Sequence, residues 1–380
     1  MKNKFLIFIV FAVTAFSVFY CGTANATEMK MESKSALLMS ADTGEILFQQ
    51  NADEKRPIAS MVKIMTLLLC FDNIQQGKLG FDDMITISER ASSMGGSQAF
   101  LDAGSQYKVD DLLKSITIAS ANDSCVAMAE HISGSVEGFV DLMNQKAKSL
   151  DMNDTVFVNC TGLPAPGQFS TAQDVAKMFN ALIKHEDYFK YTKIWMDDFV
   201  HPGGRITGLT NTNKLIRQYN GCDAGKTGYT SEAMHCLSST AIRNDMRLVS
   251  VIIGGPDSKT RFEESKKLFN FGFANYQSKI YLKKGDDLSQ KATVLGSKNK
   301  TADVIAQNNL VAFGKKGEIL GDLVVEINEK IKAPVKQGEI LGKAYVKKDN
   351  QIVAQTNLIA KYDVEKSGFF DNLKEFITNW

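Results

Sequence analysis

The sequence predicts an α+β domain followed by a small all-β domain. Before Tyr276, strand-like runs lie at both ends of the segment with helical stretches between them, which is the pattern of one domain whose terminal strands share a sheet. After Tyr276 the chain offers only short β-type runs, separated by turns rich in glycine and lysine. The length of 380 residues accommodates both domains, and a hydrophobic content of 44% is ordinary for a globular protein.

The elements of each domain follow from local patterns. Two short apolar strands flank Asp42-Thr43-Gly44, which is a hairpin signature. The almost wholly apolar pattern after Pro57 predicts a buried helix that reaches about Phe71. The other predicted helices lie near 109–132, 135–149, 171–184 and 260–276, and the strands at 36–39, 46–48, 236–241 and 247–253. The β-type runs of the second domain lie at 279–282, 292–295, 310–313, 323–327, 344–346 and 352–354.

The N-terminus has the three parts of a secretory signal peptide. Lys2 and Lys4 precede an apolar run over 5–20, and Ala24-Asn25-Ala26 supplies small residues for cleavage. The run is short for a membrane span, and the A-x-A triplet makes a retained N-terminal anchor the minor alternative. We therefore expect an exported, extracytoplasmic protein. The predicted organisation is a signal peptide over 1–26, the α+β domain over 27–276, the β-rich domain over 277–365 and an amphipathic helix over 366–380.

Charge and cysteine content argue against a nucleic-acid binder and against a disulfide-stapled protein. Lys+Arg 44 and Asp+Glu 43 nearly cancel, and a net charge of +1 lacks the basic excess of a nucleic-acid binder. Loss of the signal peptide leaves five cysteines, an odd number without C-x-x-C spacing, so no disulfide framework is predicted. Cys70 and Cys125 lie in apolar helical stretches and should be buried thiols. Cys222 and Cys236 flank a predicted strand pair, where they could form a bridge or remain free.

The helix after Pro57 carries the first chemical motif, S-x-x-K. Ser60 and Lys63 are its polar exceptions, and residues three apart on a helix share a face. A serine at a helix N-terminus lies beside free N–H groups that suit an oxyanion. A lysine among apolar residues loses its preference for the charged form and can act as a base. The alternative is a capping serine with a lysine that reaches the surface.

Two later segments favour the catalytic interpretation of the S-x-x-K motif. Ser120 and Asn122 form S-x-N at a helix end or in the loop that follows, where they could also be ordinary turn residues. Lys226, Thr227 and Gly228 form K-T-G on a strand that leads into the run at 236–241. The glycine lets a ligand backbone approach closely, while the threonine offers a hydroxyl and the lysine a positive charge. An edge-strand lysine with a turn glycine is the plain alternative.

In this order, the three motifs resemble those of the penicillin-recognising serine acyl-transferases. The flanking residues resemble the low-molecular-mass penicillin-binding proteins, which are the D-alanyl-D-alanine carboxypeptidases of the S11 peptidase family. The resemblance covers about 30–365 and implies a penicillin-binding/β-lactamase-like transpeptidase fold for the first domain. The segments that carry it are 58–66, 120–123, 162–164, 170–172, 211–213, Arg261, 264–268 and, in the tail, 333–338.

The resemblance implies a catalytic role for each motif residue. Ser60 would be the nucleophile, and Lys63 the base that activates it. Ser120 would relay a proton to the leaving amine, and Lys226 would polarise Ser120. Asn122 would hold the amide of the substrate.

The remaining matched residues would bind the substrate. Lys226 and Thr227 would meet its terminal carboxylate, next to Gly228. The backbone N–H groups of the nucleophile and of Tyr229 would form the oxyanion hole. Arg261 would help to organise the carboxylate pocket, or else be a surface arginine paired with a neighbouring glutamate. No metal or cofactor is implied. The implied partners are peptidoglycan stem peptides that end in D-Ala-D-Ala, and β-lactam antibiotics as covalent inhibitors.

Other chemistries fit the sequence less well. A zinc peptidase motif is broken because Phe189 follows His185-Glu186 where a second histidine is needed. The nearest stretch to G-x-S-x-G, at 95–99, also breaks its pattern. A class A β-lactamase would be shorter, would carry S-D-N and would lack the β-rich tail. A protein that binds stem peptides without turnover remains the alternative, and release of D-alanine would discriminate the two.

The C-terminus predicts an amphipathic helix. Its apolar residues form one stripe, which is too short to span a bilayer. Docking on the β-rich domain or pairing with a second copy is one interpretation. The family resemblance favours the other, an interfacial helix on the outer face of the cytoplasmic membrane. The stripe consists of Phe369, Phe370, Leu373, Phe376, Ile377 and Trp380.

Overall fold

The structure, a computed structural model, describes residues 29–368. The predicted signal peptide over 1–26 and the apolar stripe over 369–380 lie outside the described residues. Within the described range a mixed helix and strand domain precedes an all-β domain, which confirms the predicted fold class. In that range no helix has both the length and the apolarity needed to cross a membrane.

Helices occupy the middle of the first domain and its end. Short 3₁₀ turns at Ala59–Val62 and Glu186–Tyr188 accompany them. The helices are α1 (Lys63–Gln75), α2 (Glu89–Ser92), α3 (Val109–Ala119), α4 (Asn122–Ser133), α5 (Val136–Ser149), α6 (Ala172–Leu182), α7 (Phe189–Thr192), α8 (Leu215–Gln218) and α9 (Ser258–Asn275).

Strands of the first domain form a five-stranded sheet and two small hairpins. They are β1 (Ser35–Ser40), β2 (Ile46–Gln50), β3 (Met84–Thr86), β4 (Gln106–Lys108), β5 (Met196–Val200), β6 (Ile206–Thr210), β7 (Cys222–Thr230), β8 (Met234–Arg243) and β9 (Met246–Gly255). The main sheet has the order β2-β1-β9-β8-β7, so the first and last strands of the domain do share a sheet. As a result β7, which carries the K-T-G motif, is an edge strand of that sheet.

The main sheet separates two packed layers because side chains alternate between its faces. Leu37 and Met39 of β1 belong to the large helical core around α1. Leu38, between them, faces α9, since a Cβ on Gly272 would lie 2.9 Å from its Cδ2. The side chain of Asp257 caps α9 by accepting a hydrogen bond from the Thr260 backbone N–H.

The second domain is built from strands around its own apolar core, and its strand pairs are antiparallel except for one parallel pair. One sheet has the order β13-β18-β17-β15, a second pairs β10 with β14, and a third has the order β12-β11-β16. The strands are β10 (Tyr276–Leu282), β11 (Ala292–Leu295), β12 (Thr301–Ala302), β13 (Val304–Ala306), β14 (Leu310–Lys315), β15 (Asp322–Ile327), β16 (Ile331–Lys332), β17 (Ile340–Lys348) and β18 (Gln351–Ala360).

Four features differ from the sequence expectations or decide between them. The helix predicted from Pro57 begins as the 3₁₀ turn at Ala59–Val62, and the helical stretch near 109–132 is two helices that break at Ser120. The β5–β6 hairpin has no counterpart among the predicted strands. Cys222 and Cys236 are free, as are the other cysteines of the described range, and burial raises the pKa of the Cys236 thiol to about 11.

Candidate active site

Ser60 lies in the 3₁₀ turn that leads directly into α1. Met61 and Val62 beside it are fully buried, so the core fixes the turn while Ser60 itself is half-buried. Ala59 has a left-handed φ of 46°, which is rare for a residue with a side chain. Gly162 packs against this point so closely that a Cβ on it would lie 2.0 Å from the Ala59 carbonyl oxygen. The strained turn is therefore held in place by tertiary packing.

Lys63, the first residue of α1, points its amine at the serine. Its Nζ lies 3.0 Å from Ser60 Oγ and 2.5 Å from the carbonyl oxygen of Thr161, to which it donates. The side chain is fully buried, and this burial lowers the pKa of Lys63 below the usual lysine value. A lysine that loses its proton readily, within hydrogen-bond reach of a hydroxyl, can act as its general base.

The loop around Thr161 that receives the Lys63 amine is itself held by Asn159. The Oδ1 atom of Asn159 accepts hydrogen bonds from the backbone N–H groups of Thr161 and Gly162, at 3.1 and 2.7 Å. Thr66 on α1 donates to the Cys160 carbonyl oxygen at 2.7 Å. Asn159 was not predicted from the sequence, because an asparagine just before Cys160-Thr161-Gly162 is an ordinary turn signal.

Ser120 and Lys226 form a second serine–lysine pair. Ser120 ends α3 in the left-handed conformation, with φ 65° and ψ 35°, and the Lys226 ammonium donates to its Oγ at 2.8 Å. Lys226 is 1% exposed. Burial, and then repulsion from the Lys63 ammonium, hold the pKa of Lys226 well below the usual lysine value. Arg261 adds to that repulsion. A charged Lys63 therefore disfavours the charged form of Lys226.

Asn122 and Asp123 start α4 and anchor the loop over 95–101. The Asn122 Nδ2 donates to the Gly95 carbonyl oxygen at 2.6 Å, whereas its buried Oδ1 accepts no hydrogen bond from any described residue. The buried Asp123 carboxylate accepts from the backbone N–H groups of Ala99 and Leu101, at 3.0 and 3.1 Å. Asp123 is the last residue of the matched segment 120–123, but no function was predicted for it.

The edge strand β7 lies against the nucleophile at Gly228. A Cβ there would lie 2.7 Å from the Ile58 carbonyl oxygen and 3.2 Å from the Ser60 backbone nitrogen. Only glycine permits this approach. The next residue, Tyr229, is exposed, and its ring stacks on His235 at a centroid distance of 4.5 Å.

Arg261 approaches β7 from α9 and contacts main-chain oxygens. Its Nη1 donates to the carbonyl oxygens of Gly228 and Cys236, at 3.0 and 3.1 Å. Arg261 is 9% exposed, so the surface alternative, pairing with a neighbouring glutamate, does not describe its place. The Thr227 hydroxyl donates a hydrogen bond to the Thr212 hydroxyl at 2.8 Å.

Three of the predicted site residues, Ser60, Ser120 and Arg261, thus contact one short stretch of β7. Ser60 and Ser120 each have a lysine amine within 3.0 Å of the hydroxyl oxygen. The backbone of Ser60 also packs against Gly228 of β7. This arrangement can activate a hydroxyl, deliver a proton and bind an anion. Within residues 29–368, no cluster of three or more His, Cys, Asp or Glu side chains could hold a metal ion.

Comparison with known proteins identifies the family. A family model described as D-alanyl-D-alanine carboxypeptidase matches residues 22–257. A second, described as the C-terminal domain of penicillin-binding protein 5, matches residues 276–366. Among curated proteins, the D-alanyl-D-alanine carboxypeptidase DacF of Bacillus subtilis is 40% identical over 358 residues, which is 94% of this chain and 92% of that protein. DacC of Escherichia coli is 33% identical over 380 residues, covering 96% and 94% of the two chains.

The fold agrees with this relationship. The crystal structure of penicillin-binding protein 5 from Haemophilus influenzae matches with a TM-score of 0.69 at 31% identity, covering 90% of this chain and 99% of that one. Both parts of the chain, the sheet domain with its serine–lysine pairs and the β-rich domain, are therefore accounted for by one family. The chain belongs to the S11 family of serine D-alanyl-D-alanine carboxypeptidases.

Proposed function

We propose that the protein is exported and removes the terminal D-alanine from peptidoglycan stem peptides through an acyl-enzyme on Ser60. The observation that carries this proposal is the fully buried Lys63 amine, 3.0 Å from Ser60 Oγ. Because burial lowers the pKa of Lys63, a larger share of the amine is neutral near pH 7 than in an exposed lysine. The neutral amine can take the serine proton as the nucleophile attacks.

Acylation then proceeds in two steps. Ser60 Oγ attacks the carbonyl carbon of the penultimate D-alanine, and the backbone N–H groups of Ser60 and Tyr229 bind the oxyanion that forms. The bond to the terminal D-alanine breaks as Ser120, polarised by Lys226 at 2.8 Å, relays to the leaving nitrogen the proton that Lys63 took from Ser60. Lys63 and Ser120 thereby return to their starting protonation states. Water finally hydrolyses the Ser60 ester and releases the shortened peptide.

Substrate recognition uses the groups around β7. Asn122, whose Oδ1 is buried without a described partner, would accept a hydrogen bond from the substrate amide. Lys226 and Thr227 would bind the terminal carboxylate, and Arg261 would help to organise that pocket through the β7 main chain. A β-lactam offers a reactive carbonyl and a carboxylate in the same molecule, so it would acylate Ser60 as well.

The proposal is tested by D-alanine release. The mature protein should release D-alanine from a pentapeptide that ends in D-Ala-D-Ala, and Ser60→Ala should abolish that release. Ser289→Ala, which removes an exposed serine hydroxyl of the second domain, is the matched control and should retain wild-type activity. Binding of the peptide without any D-alanine release by the wild-type protein would instead favour a non-catalytic stem-peptide binder.

We further propose peripheral attachment to the outer face of the cytoplasmic membrane through the apolar stripe between Phe369 and Trp380. The stripe offers aromatic residues suited to the lipid boundary, with little positive charge, so attachment would depend on apolar burial. Residues 27–366 and the full mature chain should therefore partition differently with membranes. Equal recovery of both in the soluble fraction would favour a helix docked on the protein itself.

A further inference from the structure

The segment over 211–213, between β6 and α8, is a rigid frame beside the site. Asn211 and Asn213 are buried at 4% and 1% exposure. The Asn211 Nδ2 donates to the carbonyl oxygens of Thr192 and Ile194, at 3.0 and 2.8 Å, and its Oδ1 accepts from the Asn213 backbone N–H. Asn213 lies against β7 so closely that a Cβ on Gly225 would be 2.5 Å from its Nδ2. The frame therefore has little freedom to move relative to β7.

Thr212, the middle residue of this frame, is half-buried. Its backbone N–H donates to the Ile118 carbonyl oxygen at 3.2 Å, in the last turn of α3 and two residues before Ser120. Its hydroxyl lies 2.8 Å from the Thr227 hydroxyl on β7. Thr212 thus connects the helix end that carries one motif to the strand that carries another.

The two hydroxyls can act as a unit. In the structure Thr227 donates its proton to Thr212, so the Thr212 O–H remains as a donor for a ligand. Rotation of both hydroxyls reverses this bond and makes Thr227 the free donor. Thr227 directly follows Lys226 in the chain, and Lys226 supplies the positive charge of the site. An anion bound there would polarise both hydroxyls, because consecutive hydrogen bonds strengthen one another.

We propose that Thr212 is a positioning residue for the terminal carboxylate of the substrate. It fixes the Thr227 hydroxyl so that the pair donates a hydrogen bond to that carboxylate. This inference rests on the proposed carboxypeptidase function. Loss of the Thr212 hydroxyl leaves the Thr227 side chain free to rotate and removes its polarising partner, so recognition of the carboxylate should weaken while the serine–lysine chemistry remains.

The test compares Thr212→Val, which keeps the shape and removes the hydroxyl, with Thr212→Ser, which keeps the hydroxyl. For a D-Ala-D-Ala peptide, Thr212→Val should raise KM roughly five- to tenfold with kcat nearly unchanged, since one hydrogen bond to the ligand is weakened. Thr212→Ser should restore most of the wild-type KM. Thr210→Val, which removes an exposed hydroxyl at the end of β6, is the matched control and should behave as wild type.

A second pair of ligands separates carboxylate recognition from general damage. Acylation by benzylpenicillin should be slower in Thr212→Val than in wild type, whereas acylation by the neutral benzylpenicillin methyl ester should be unaffected. An equal loss with both ligands, a failure of Thr212→Ser to restore KM, or wild-type behaviour of Thr212→Val would each overturn the inference. A wild-type protein that releases no D-alanine would instead refute the proposed function, whatever the variants do.

Discussion

The close approach of β7 to the nucleophile makes Gly228→Ala a demanding test of the site. The added Cβ would lie 2.7 Å from the Ile58 carbonyl oxygen, whereas ordinary van der Waals contact begins at 3.4 Å. The other near atoms, Ala59 Cβ and Ser60 N at 3.2 Å, also belong to the buried turn, so no flexible side chain can yield. The strand and the turn must therefore separate by about 0.7 Å, the difference between those two distances.

A displacement of that size acts on the oxyanion hole, because its two proposed N–H donors come from the turn and from β7. Since a misplacement of about 1 Å can cost about 100-fold in rate, we expect Gly228→Ala to lower the acylation rate constant roughly 10- to 100-fold. Stopped-flow acylation with a fluorescent penicillin measures this rate. Gly208→Ala on β6, where the added Cβ meets nothing within 4 Å, is the control. Wild-type acylation by a folded Gly228→Ala variant would refute the proposed arrangement.

Three further predictions follow from buried charges. Because burial lowers the pKa of Lys63 and the neutral amine is the base, acylation should increase with pH through an apparent pKa below about 10.4; a flat profile between about pH 6 and pH 10 would exclude Lys63 as the base. Asp123→Asn should speed hydrogen exchange at the two loop amides bonded to this carboxylate, by about tenfold, and unchanged exchange would contradict its anchoring role. Arg247→Ala leaves the buried Asp223 carboxylate without its bidentate partner and should lower the free energy of unfolding in urea by about 3 kcal/mol, so a loss below about 1 kcal/mol would count against that pair.

Substrate binding should shift the pKa of Lys226. Burial and repulsion from Lys63 hold the pKa of Lys226 well below normal, but a carboxylate beside it favours the charged ammonium form. The pKa of Lys226 should therefore increase when a carboxylate ligand binds. The charge proposed to meet the substrate is in this way strengthened by the substrate itself.

Local patterns predicted those elements whose apolar residues repeat regularly. The hairpin around Asp42-Thr43-Gly44 and a buried helix after Pro57 follow from such patterns, and the structure confirms both, although the helix ends at Gln75, one turn beyond the predicted end near Phe71. The start of that helix could not be predicted in detail. Its left-handed Ala59 depends on Gly162, about 100 positions away in the chain, and such packing leaves no local signal.

The same reason explains which site residues had no role predicted from the sequence. Asp123 and Thr212 lie within segments that carry the family resemblance, and Asn159 lies outside them. All three are residue types common in turns and helix caps, so their presence alone predicts no role. Their importance comes from contacts across the fold, as between Asp123 and the amides of Ala99 and Leu101. The motif residues were recognisable because the three motifs occur together and in order.

Covalent labelling tests the central claim, nucleophilic catalysis by Ser60, most directly. Intact-mass spectrometry after exposure to benzylpenicillin should show one whole β-lactam added to the wild-type protein, and peptide mapping should place it on the peptide that contains Ser60. Ser60→Ala should remain unmodified while retaining the wild-type melting temperature. An adduct on another serine, or labelling that persists in Ser60→Ala, would contradict the assignment of Ser60 as the nucleophile.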